Sequence, residues 1–465
     1  MSSTIQMTAP SDVYVQRRAQ LASKLTRPLV LFSGYAPARN YPTNPHRFRP
    51  GSSYTYFGGP PLENAAWLIE PESDGRVGSA LFRPPMGPDD ALWFGELPSD
   101  SEIAATAGLR TCGLADPCRL GAMLAGRQAG AVIPPYPDTM GWAAELGLSV
   151  ATEEELRIIV DLRNIKDEHE RKAMRFAGQV AMEAHRAAMR AAQPGRREAD
   201  VAAAFWQVCI QNQCDVSFNP IITVRGEVLH GHGHPNPLNE GMLMLCDAGA
   251  EEQGGYASDI TRTYPVGGNW TSIQKHLYQT VERALNESVR QCVPGMRFRD
   301  IHDHSARIIC EGLVEAELLK GKPAELAARC AHTLFYPHGL GHLIGLDVHD
   351  MEDFGDVAGY APGRKRRTEF GNKFLRMDRD LEPGLCLTIE PGIYLVPAIW
   401  ACDELVRPLA DAVNRSKVDA LLESNFGGIR IEHYLCVQDK TADGPEVFSA
   451  ALPTGADEVA ALTRM

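Results

Sequence analysis

Short apolar runs alternate with amphipathic stretches along the first 160 residues of the chain. PLVLFSG, AAWLIE and SALFRPP have the length and composition of buried strands, and the stretch around LGAMLAGRQAG has helical periodicity. Pro and Gly residues separate these runs at the spacing expected when strands and helices alternate. The pattern therefore predicts an α/β domain over residues 1–160.

The pattern changes near residue 160, where we place a domain border. EEELRIIVDLRNIKDEHERKAMRFAGQVAMEAHRAAMRAA has long helical periodicity, many charges and almost no Gly or Pro, which is typical of connecting helices. Beyond it, helical patterns at 271–292 and 298–320 alternate with strand pairs carrying MLMLCDAGAEE, YASDITRTYPV, GLCLTIEPGIYLV and GGIRIEHYLCV. They predict an α+β domain with antiparallel strands over residues 161–465. The charged, Gly-rich stretch 352–374 is typical of a long loop near a site.

Length and charge narrow the classes of function. A chain of 465 residues is longer than one hydrophobic core usually supports, in agreement with two domains. Acidic residues outnumber basic ones, 59 to 46, so neither a nucleic acid nor an anionic membrane is expected as a partner. The start, MSSTIQMTAPSDVYVQRRAQ, lacks the apolar stretch of a signal peptide, and no apolar run could span a bilayer. A cytoplasmic location is the resulting expectation.

The cysteines do not predict a disulfide framework. All eleven are scattered along the chain, and several lie in apolar segments such as LMLCDAG and LCLTIEP. We interpret them as reduced cysteines of the core. No C-x-x-C pair occurs, which argues against a zinc site made of thiolates.

Two acidic residues bracket a predicted hairpin, DAGAEEQGGYASDITRT. Asp247 ends an apolar strand and Asp259 opens the return strand, so the hairpin can bring both carboxylates to one point. Two close carboxylates repel each other unless a positive charge lies between them. A metal pair would supply that charge. The simpler alternative is that each Asp only caps a turn.

The segment HGLGHLIGLDVHD places three histidines, His338, His342 and His349, among Gly and large apolar residues. One buried histidine is usually a hydrogen-bonded part of the core. Three within twelve residues are hard to explain in that way, and neutral imidazole is a common ligand of divalent ions. We therefore expect at least one of them to bind a metal.

TIEPGIY and GIRIEH each end an apolar, strand-like run with a glutamate, Glu390 or Glu432. A glutamate that faces inward from such a strand is costly unless a positive charge compensates it. The alternative to a metal is an ion pair with Arg430, but a single arginine cannot neutralise four carboxylates. Four carboxylates and one histidine form an oxygen-rich set that suits Mn²⁺, with Co²⁺ or Zn²⁺ possible. Paired ions of this kind suit hydrolysis.

These residues resemble the pita-bread metallopeptidases, in the branch that holds aminopeptidase P and prolidase. Its pattern is D-x-G, S-D-x-T-R, H-G-x-x-H, E-P-G and R-I-E, and NPHRFRPGSSYTYFGG and LFRPPMGPDDALWFGE are similar to its N-terminal domain. The resemblance implies a ribonuclease H-like, creatinase-type N-terminal domain and a pita-bread catalytic domain. It also implies a Xaa-Pro aminopeptidase or Xaa-Pro dipeptidase, proline-containing peptides as substrates, and a homodimer or homotetramer.

The resemblance also implies a role for each motif residue. Asp247 would bind one metal, His342 and Glu390 the other, and Asp259 and Glu432 would bridge the two, with a bridging hydroxide as the nucleophile. His230, in VLHGHGH, and His349 are implied as catalytic histidines. The residues implied to lie at the substrate are His338, Arg376 and Arg430.

Arg376 precedes Glu390 by fourteen residues, where prolidases are expected to place an arginine that grips the substrate carboxylate. The long connection between Glu390 and Glu432 is also similar to that of prolidases. Both features favour dipeptides, although an arginine in a charged loop is more often solvated.

Two departures from the family pattern leave alternatives open. One extra residue lies between Asp247 and Asp259, so a loop or a bulge at Gly254–Gly255 must absorb it to keep both acids on one face. His433 follows Glu432 where the family commonly has an acid. A metal-free homologue that acts as a binding module, or a creatinase-like hydrolase that does not cleave peptides, is the alternative function.

Overall fold

The computed structural model describes residues 7–75, 78–95, 98–109, 114–115, 117–134, 136–231, 233–439 and 443–464. Contacts between Cα atoms divide the chain into two compact units. The first ends at Arg163 and includes Gln253–Gly255, and the second spans Asn164–Glu252 and continues from Tyr256. Among the described residues, no helix is both long and apolar enough to cross a membrane.

The first unit contains a mixed sheet. Its described strands are β1 Leu29–Phe32, β2 Ala66–Ile69, β3 Ser79–Phe82, β4 Leu114–Ala115, β5 Gly130–Val132 and β6 Ser149–Val150. Their order is β4-β3-β2-β1-β5-β6, with β1, β2 and β3 antiparallel and the outer pairings parallel. The helices are α1 Ser11–Ala22, α2 Ser52–Tyr56, α3 Pro88–Phe94, α4 Asp100–Thr106, α5 Pro117–Leu124, α6 Pro137–Glu145 and α7 Glu153–Asn164. The predicted α/β class of this part is confirmed.

Alternate residues of the central strands build the core of this unit. Val30 and Phe32 on β1 lie in one cluster with Ala66 and Leu68 on β2, because side chains two positions apart point to the same face. The apolar runs that predicted these strands are therefore buried.

The second unit has a helix-rich part and several small antiparallel sheets. Its described helices are α8 Glu168–Ala191, α9 Glu198–Gln211, α10 Ser272–Arg290, α11 Phe298–Glu315, α12 Pro323–Ala328, α13 Asp356–Gly359, α14 Pro397–Trp400, α15 Asp403–Val406, α16 Arg415–Glu423 and α17 Ala456–Leu462. Its described strands are β7 Asp215–Val216, β8 Ile221–Thr223, β9 Leu243–Asp247, β10 Ala250–Glu251, β11 Thr261–Pro265, β12 Cys386–Ile389, β13 Gly392–Tyr394, β14 Gly428–Arg430, β15 His433–Cys436 and β16 Glu446–Val447.

These strands pair only with antiparallel neighbours. The sheets have the orders β11-β9-β8, β12-β15-β16, β13-β14 and β10-β7. The predicted α+β class with antiparallel strands is confirmed. The acidic residues of the predicted site lie at strand ends: Asp247 ends β9, Asp259 lies two residues before β11, Glu390 follows β12, and Glu432 lies between β14 and β15.

The long helical stretch after residue 152 forms two helices, α7 and α8, in agreement with the predicted connecting helices. Asp167 caps α8: its carboxylate accepts a hydrogen bond from the Glu170 N–H, and the Glu170 carboxylate accepts one from the Asp167 N–H. This reciprocal pair is a capping box, and it starts a new helix although the apolar periodicity continues.

Candidate metal centre

The hairpin of β9 and β11 brings two acidic residues to one face of its sheet. Thr261 pairs with Asp247, and Glu251 pairs with Ala257 in the same register. Asp259 lies two residues before Thr261, so its side chain points to the same side as that of Asp247. The register is unbroken between the two pairs, and the turn at 253–255 absorbs the extra residue, with Gly255 at φ 94°.

The histidine segment lies along β12 and places His342 opposite the hairpin. The Thr388 N–H donates to the His342 carbonyl at 2.9 Å, and the Glu390 N–H donates to the Leu340 carbonyl at 2.7 Å. A Cβ on Gly341 would lie 2.0 Å from the Thr388 carbonyl oxygen, so only glycine permits this approach. His342 and Glu390 therefore reach the same space from two adjacent segments.

The imidazole of His342 is oriented for ligation. Its Nδ1 donates to the Leu343 carbonyl at 3.0 Å, which leaves a lone pair on Nε2. Nε2 lies 3.5 Å from Asp259 Oδ2 and 3.6 Å from Glu390 Oε1. These separations are typical of atoms that share one cation.

Glu432 lies between β14 and β15 and is tied to the hairpin. Its N–H donates to the Thr261 carbonyl at 3.0 Å, and its Oε2 accepts from the Thr261 hydroxyl at 2.8 Å. One ligand atom from each of Asp259, His342 and Glu432 lies within 4.8 Å of the other two. Three segments that are distant in sequence thus converge on one point.

The electrostatics of this cluster fit a cation. Asp247 Oδ1, Asp259 Oδ1 and Glu432 Oε1 are buried and have no hydrogen-bond partner in the part of the chain that the structure describes. Burial and the carboxylates of Asp247 and Glu390 raise the pKa of Asp259 well above its usual range. Burial and the carboxylate of Asp259 do the same to the pKa of Glu432. Divalent ions would compensate both effects.

Arg430 is the arginine inside the cluster, and its partner is Asp247 rather than Glu432. Its guanidinium donates to Asp247 Oδ2, to the Tyr394 hydroxyl at 2.9 Å and to the Thr261 hydroxyl at 3.2 Å. Arg430 therefore does form an ion pair, as the alternative to a metal required, but it forms this pair with Asp247. Among the described residues, Asp259 Oδ1 and Glu432 Oε1 still have no hydrogen-bond partner.

One cavity of about 610 Å³ has the predicted site residues in its wall. The lining includes all ten of them: His230, Asp247, Asp259, His338, His342, His349, Arg376, Glu390, Arg430 and Glu432. Its apolar lining includes Phe218, Ile221, Leu229, Val348 and Phe374, which the sequence did not single out. The space is large enough for a short peptide.

His338 takes part in a chain of hydrogen bonds on one side of the cavity. Its Nδ1 donates to the Gly339 carbonyl at 2.8 Å, and its Nε2 accepts from the Tyr394 hydroxyl at 2.8 Å. Tyr394 in turn accepts from Arg430. Burial lowers the pKa of His338 to about 3, so this ring is neutral.

On the other side, His349 stacks on His342, with ring centroids 3.8 Å apart and an angle of 18° between the planes. His349 Nδ1 donates to Glu352 Oε1 at 2.9 Å, and Arg376 Nη1 donates to Glu352 Oε2 at 2.5 Å. Arg376 is therefore held by an acid instead of being fully solvated. Burial lowers the pKa of both His349 and His230.

Four polar residues in and around the site were not predicted from the sequence: Thr261, Glu352, Thr388 and Tyr394. A signal existed for the two threonines, since each lies two positions from a predicted ligand and therefore on the same face. Thr388 accepts from the His342 N–H at 3.1 Å and supports the ligand from behind. No such spacing marks Tyr394.

His433, which departs from the family pattern, points away from the cluster. Its Nδ1 lies 2.7 Å from the Ser449 hydroxyl, and His433 is not in the wall of the cavity. Neighbouring residues near a strand face opposite ways, so an inward Glu432 requires an outward His433.

Comparisons with known proteins agree over nearly the whole chain. Residues 172–439 match the model of metallopeptidase family M24, and residues 14–119 match that of the aminopeptidase P N-terminal domain. A probable Xaa-Pro aminopeptidase of Aspergillus niger is 31% identical over 89% of this chain and 88% of its own length. The Xaa-Pro dipeptidase of Rattus norvegicus is 35% identical over 65% of this chain and 61% of its own.

A solved structure gives the same result for the fold. Aminopeptidase P from E. coli with the inhibitor Pro-Leu is 25% identical, has a TM-score of 0.81, and covers 98% of each chain. The expected N-terminal domain and pita-bread catalytic domain are thereby confirmed.

Proposed function

The chain belongs to metallopeptidase family M24 and is a Xaa-Pro metallo-exopeptidase, and we propose that it releases the residue before proline from dipeptides, longer peptides or both. The observation that carries this proposal is the convergence of Asp247, Asp259, His342, Glu390 and Glu432 on one cavity wall. Three of the buried carboxylate oxygens there have no hydrogen-bond partner among the residues that the structure describes. The metal-free alternative finds no support in the comparisons, because the relatives are peptidases of a metallopeptidase family.

We assign two divalent ions to this wall. Asp247 would hold one, His342 and Glu390 the other, and Asp259 and Glu432 would lie between the two. Manganese is proposed because most donors are carboxylate oxygens, with cobalt or zinc as alternatives. Bound there, such a pair would polarise the scissile carbonyl and lower the pKa of a water molecule.

The remaining cavity residues would act on the peptide itself. His230 and His349 are proposed to take and return protons, and their lowered pKa values keep them neutral and able to accept one at pH 7. His338 and Arg430, linked through Tyr394, would orient the substrate. Arg376 is proposed to bind a substrate carboxylate, because its Nε and Nη2 have no hydrogen-bond partner among the described residues.

Two peptides test the function. The Mn²⁺-loaded protein should hydrolyse Ala-Pro, Ala-Pro-Ala or both, with alanine as the released product in each case. A preference for Ala-Pro would favour the dipeptidase, and a preference for Ala-Pro-Ala the aminopeptidase. No hydrolysis of either would refute the proposal.

The ligand assignment has its own test. Asp259→Ala and Glu432→Ala should lose bound metal and activity together, whereas Asp411→Ala removes an exposed carboxylate and should keep both. Full turnover in Asp259→Ala or Glu432→Ala would contradict the bridging roles.

We also propose a cytoplasmic enzyme that forms a homodimer or homotetramer and binds neither nucleic acid nor membranes. Analytical ultracentrifugation of the metal-loaded protein decides the oligomeric state, and a monomer would contradict this part. The domain border near residue 160 stays a prediction, which limited proteolysis followed by mass spectrometry can test.

A further inference from the structure

One carboxylate behind the cavity wall, that of Glu352, contacts two residues to which the proposed function gives separate tasks. Glu352 accepts the Nδ1–H of His349 at Oε1, 2.9 Å away, and the Nη1–H of Arg376 at Oε2, 2.5 Å away. Both partners line the cavity, and none of the roles assigned above involves Glu352. Its side chain is 30% exposed, so it is partly shielded from water.

The hydrogen bond to Glu352 fixes the tautomer of His349. A neutral imidazole that donates from Nδ1 carries its lone pair on Nε2. Among the described residues, Nε2 of His349 has no hydrogen-bond partner, so this atom is available to a substrate or a water molecule in the cavity. The stack on His342 fixes the plane of the ring, and Glu352 fixes its rotation within that plane.

Glu352 is itself held in place and charged. Burial raises the pKa of Glu352, but the hydrogen bond from His349 and the positive charge of Arg376 outweigh burial and hold this pKa below its usual range, so the carboxylate is ionised at neutral pH. Arg376 binds its second oxygen. Arg376, His349 and Glu352 therefore form a fixed row in which the acid lies between two donors.

The backbone on both sides of this row is fixed as well. Met351 adopts the left-handed conformation at φ 62° directly before Glu352. The Leu375 carbonyl, directly before Arg376, accepts hydrogen bonds from the Tyr360 hydroxyl at 2.6 Å and from Arg366 Nη1 at 2.7 Å. The ion pair of Glu352 and Arg376 thus closes the base of the long loop between them.

We propose that Glu352 is a positioning residue for the peptidase reaction: it holds His349 with Nε2 toward the cavity, and Arg376 anchors it for that task. The proposal rests on the proposed function, in which His349 carries protons. It assigns to Glu352 the part that a buried acid plays beside a catalytic histidine, which is to select the tautomer and the orientation of the ring.

Glu352→Gln is the sharpest test. The glutamine amide has one acceptor oxygen and an NH₂ donor, so it cannot accept from both partners. Either the hydrogen bond from Arg376 is lost, or the NH₂ faces His349, which must then take the Nε2–H tautomer and lose the lone pair on Nε2. We expect kcat to fall by about 10- to 100-fold on both Ala-Pro and Ala-Pro-Ala, with KM changed less than about threefold. Metal content should equal that of the parent enzyme.

Asp356→Asn is the matched control, because it makes the same charge change in the same loop and, among the described residues, its side chain loses an exposed ion pair with Arg366 that does not involve His349 or Arg376. Its kcat on both peptides should stay at the parent level. An equal loss in this control would overturn the specific role of Glu352.

The decisive measurement is a double-mutant cycle with His349→Ala. If Glu352 acts through His349, then Glu352→Gln costs nothing further in the His349→Ala enzyme. Additive losses, a drop in metal content, or parent-level kcat in Glu352→Gln would each overturn the proposal. Failure of the unmodified enzyme on both peptides would instead refute the proposed function.

Glu352→Asp is the second variant, to be used if the glutamine variant does not fold. Aspartate keeps the charge but is one methylene shorter, so it cannot keep both the 2.9 Å and the 2.5 Å hydrogen bonds without a shift of the loop. A kcat loss that again disappears in the His349→Ala background supports the proposal, and an additive loss contradicts it.

Discussion

Replacing Arg430 with methionine tests how the acidic cluster is compensated when no metal is bound. Arg430 is only 4% exposed and donates to Asp247, Tyr394 and Thr261. Methionine keeps much of the volume but removes the charge and every donor. Asp247, which is 8% exposed, would then be a buried carboxylate without its arginine.

Removing one partner of a buried ion pair costs about 3–5 kcal/mol, because the other charge is left uncompensated. The second unit contains about 300 residues. Its unfolding entropy at the midpoint is therefore about 0.6 kcal/mol/K, and the cost corresponds to a fall in Tm of about 5–8 °C. Scanning calorimetry in EDTA measures this shift directly.

The same scan with Mn²⁺ should show a smaller difference between Arg430→Met and the parent, because a bound cation would compensate Asp247 in place of the arginine. Arg329→Met is the control: Arg329 pairs with Asp411 at 2.7 and 2.9 Å, but on the surface, so its Tm should not change measurably. An unchanged Tm for Arg430→Met in EDTA would refute the view that Asp247 depends on Arg430.

Three further substitutions test the candidate metal centre and the buried ion pair of Lys166 and Asp350. The raised pKa of Glu432 means that its charged form destabilises the metal-free fold, a cost that appears as pH rises from the ordinary carboxyl range toward the raised pKa. Glu432→Gln should therefore unfold at a higher temperature than the parent in EDTA at pH 7, with a smaller advantage at pH 5, by calorimetry. His433→Asn should keep the parent metal content by elemental analysis, because His433 faces Ser449 and not the cluster. Lys166→Met should destabilise the protein by about 3–5 kcal/mol in urea titration, because it removes the cation of the buried ion pair between Lys166 and Asp350.

For residues that lie close together in sequence, the shared position in the site could be predicted, because strand and hairpin geometry relate their side chains directly. Asp247 and Asp259 meet across a hairpin, and the parity of their spacing decides whether they share a face. The direction of His433 was left open by the sequence, and the structure settles it: the ring contacts Ser449 and points away from the cluster. The open question about the extra hairpin residue needed the structure, since sequence does not distinguish a turn of 253–255 from a bulge.

Partners separated by loops could not be predicted in the same way. Glu352 and Arg376 lie at the two ends of a stretch that has no regular period, so no pattern relates them. Tyr394 contacts His338 from 56 residues away, through a strand whose own pattern only indicates burial. In the long stretch after residue 152 the limit is of another kind. The apolar period continues through the point where α8 begins, so the period alone does not locate the boundary that the capping box of Asp167 and Glu170 sets.

The directions of the hydrogen bonds show which histidines of the cavity have a ring nitrogen free to accept a proton. Arg430 has only donors, so the Tyr394 oxygen must accept from it, and the Tyr394 proton is then free to be donated to His338 Nε2. Because His338 Nδ1 donates to the Gly339 carbonyl, both nitrogens of this ring are already engaged, and its pKa of about 3 keeps it neutral. His338 can therefore hold the arginine and tyrosine in place, but it has no free nitrogen with which to exchange a proton. This agrees with the proposed assignment of proton transfer to His230 and His349, and under that assignment the rate would depend on the acid that orients His349.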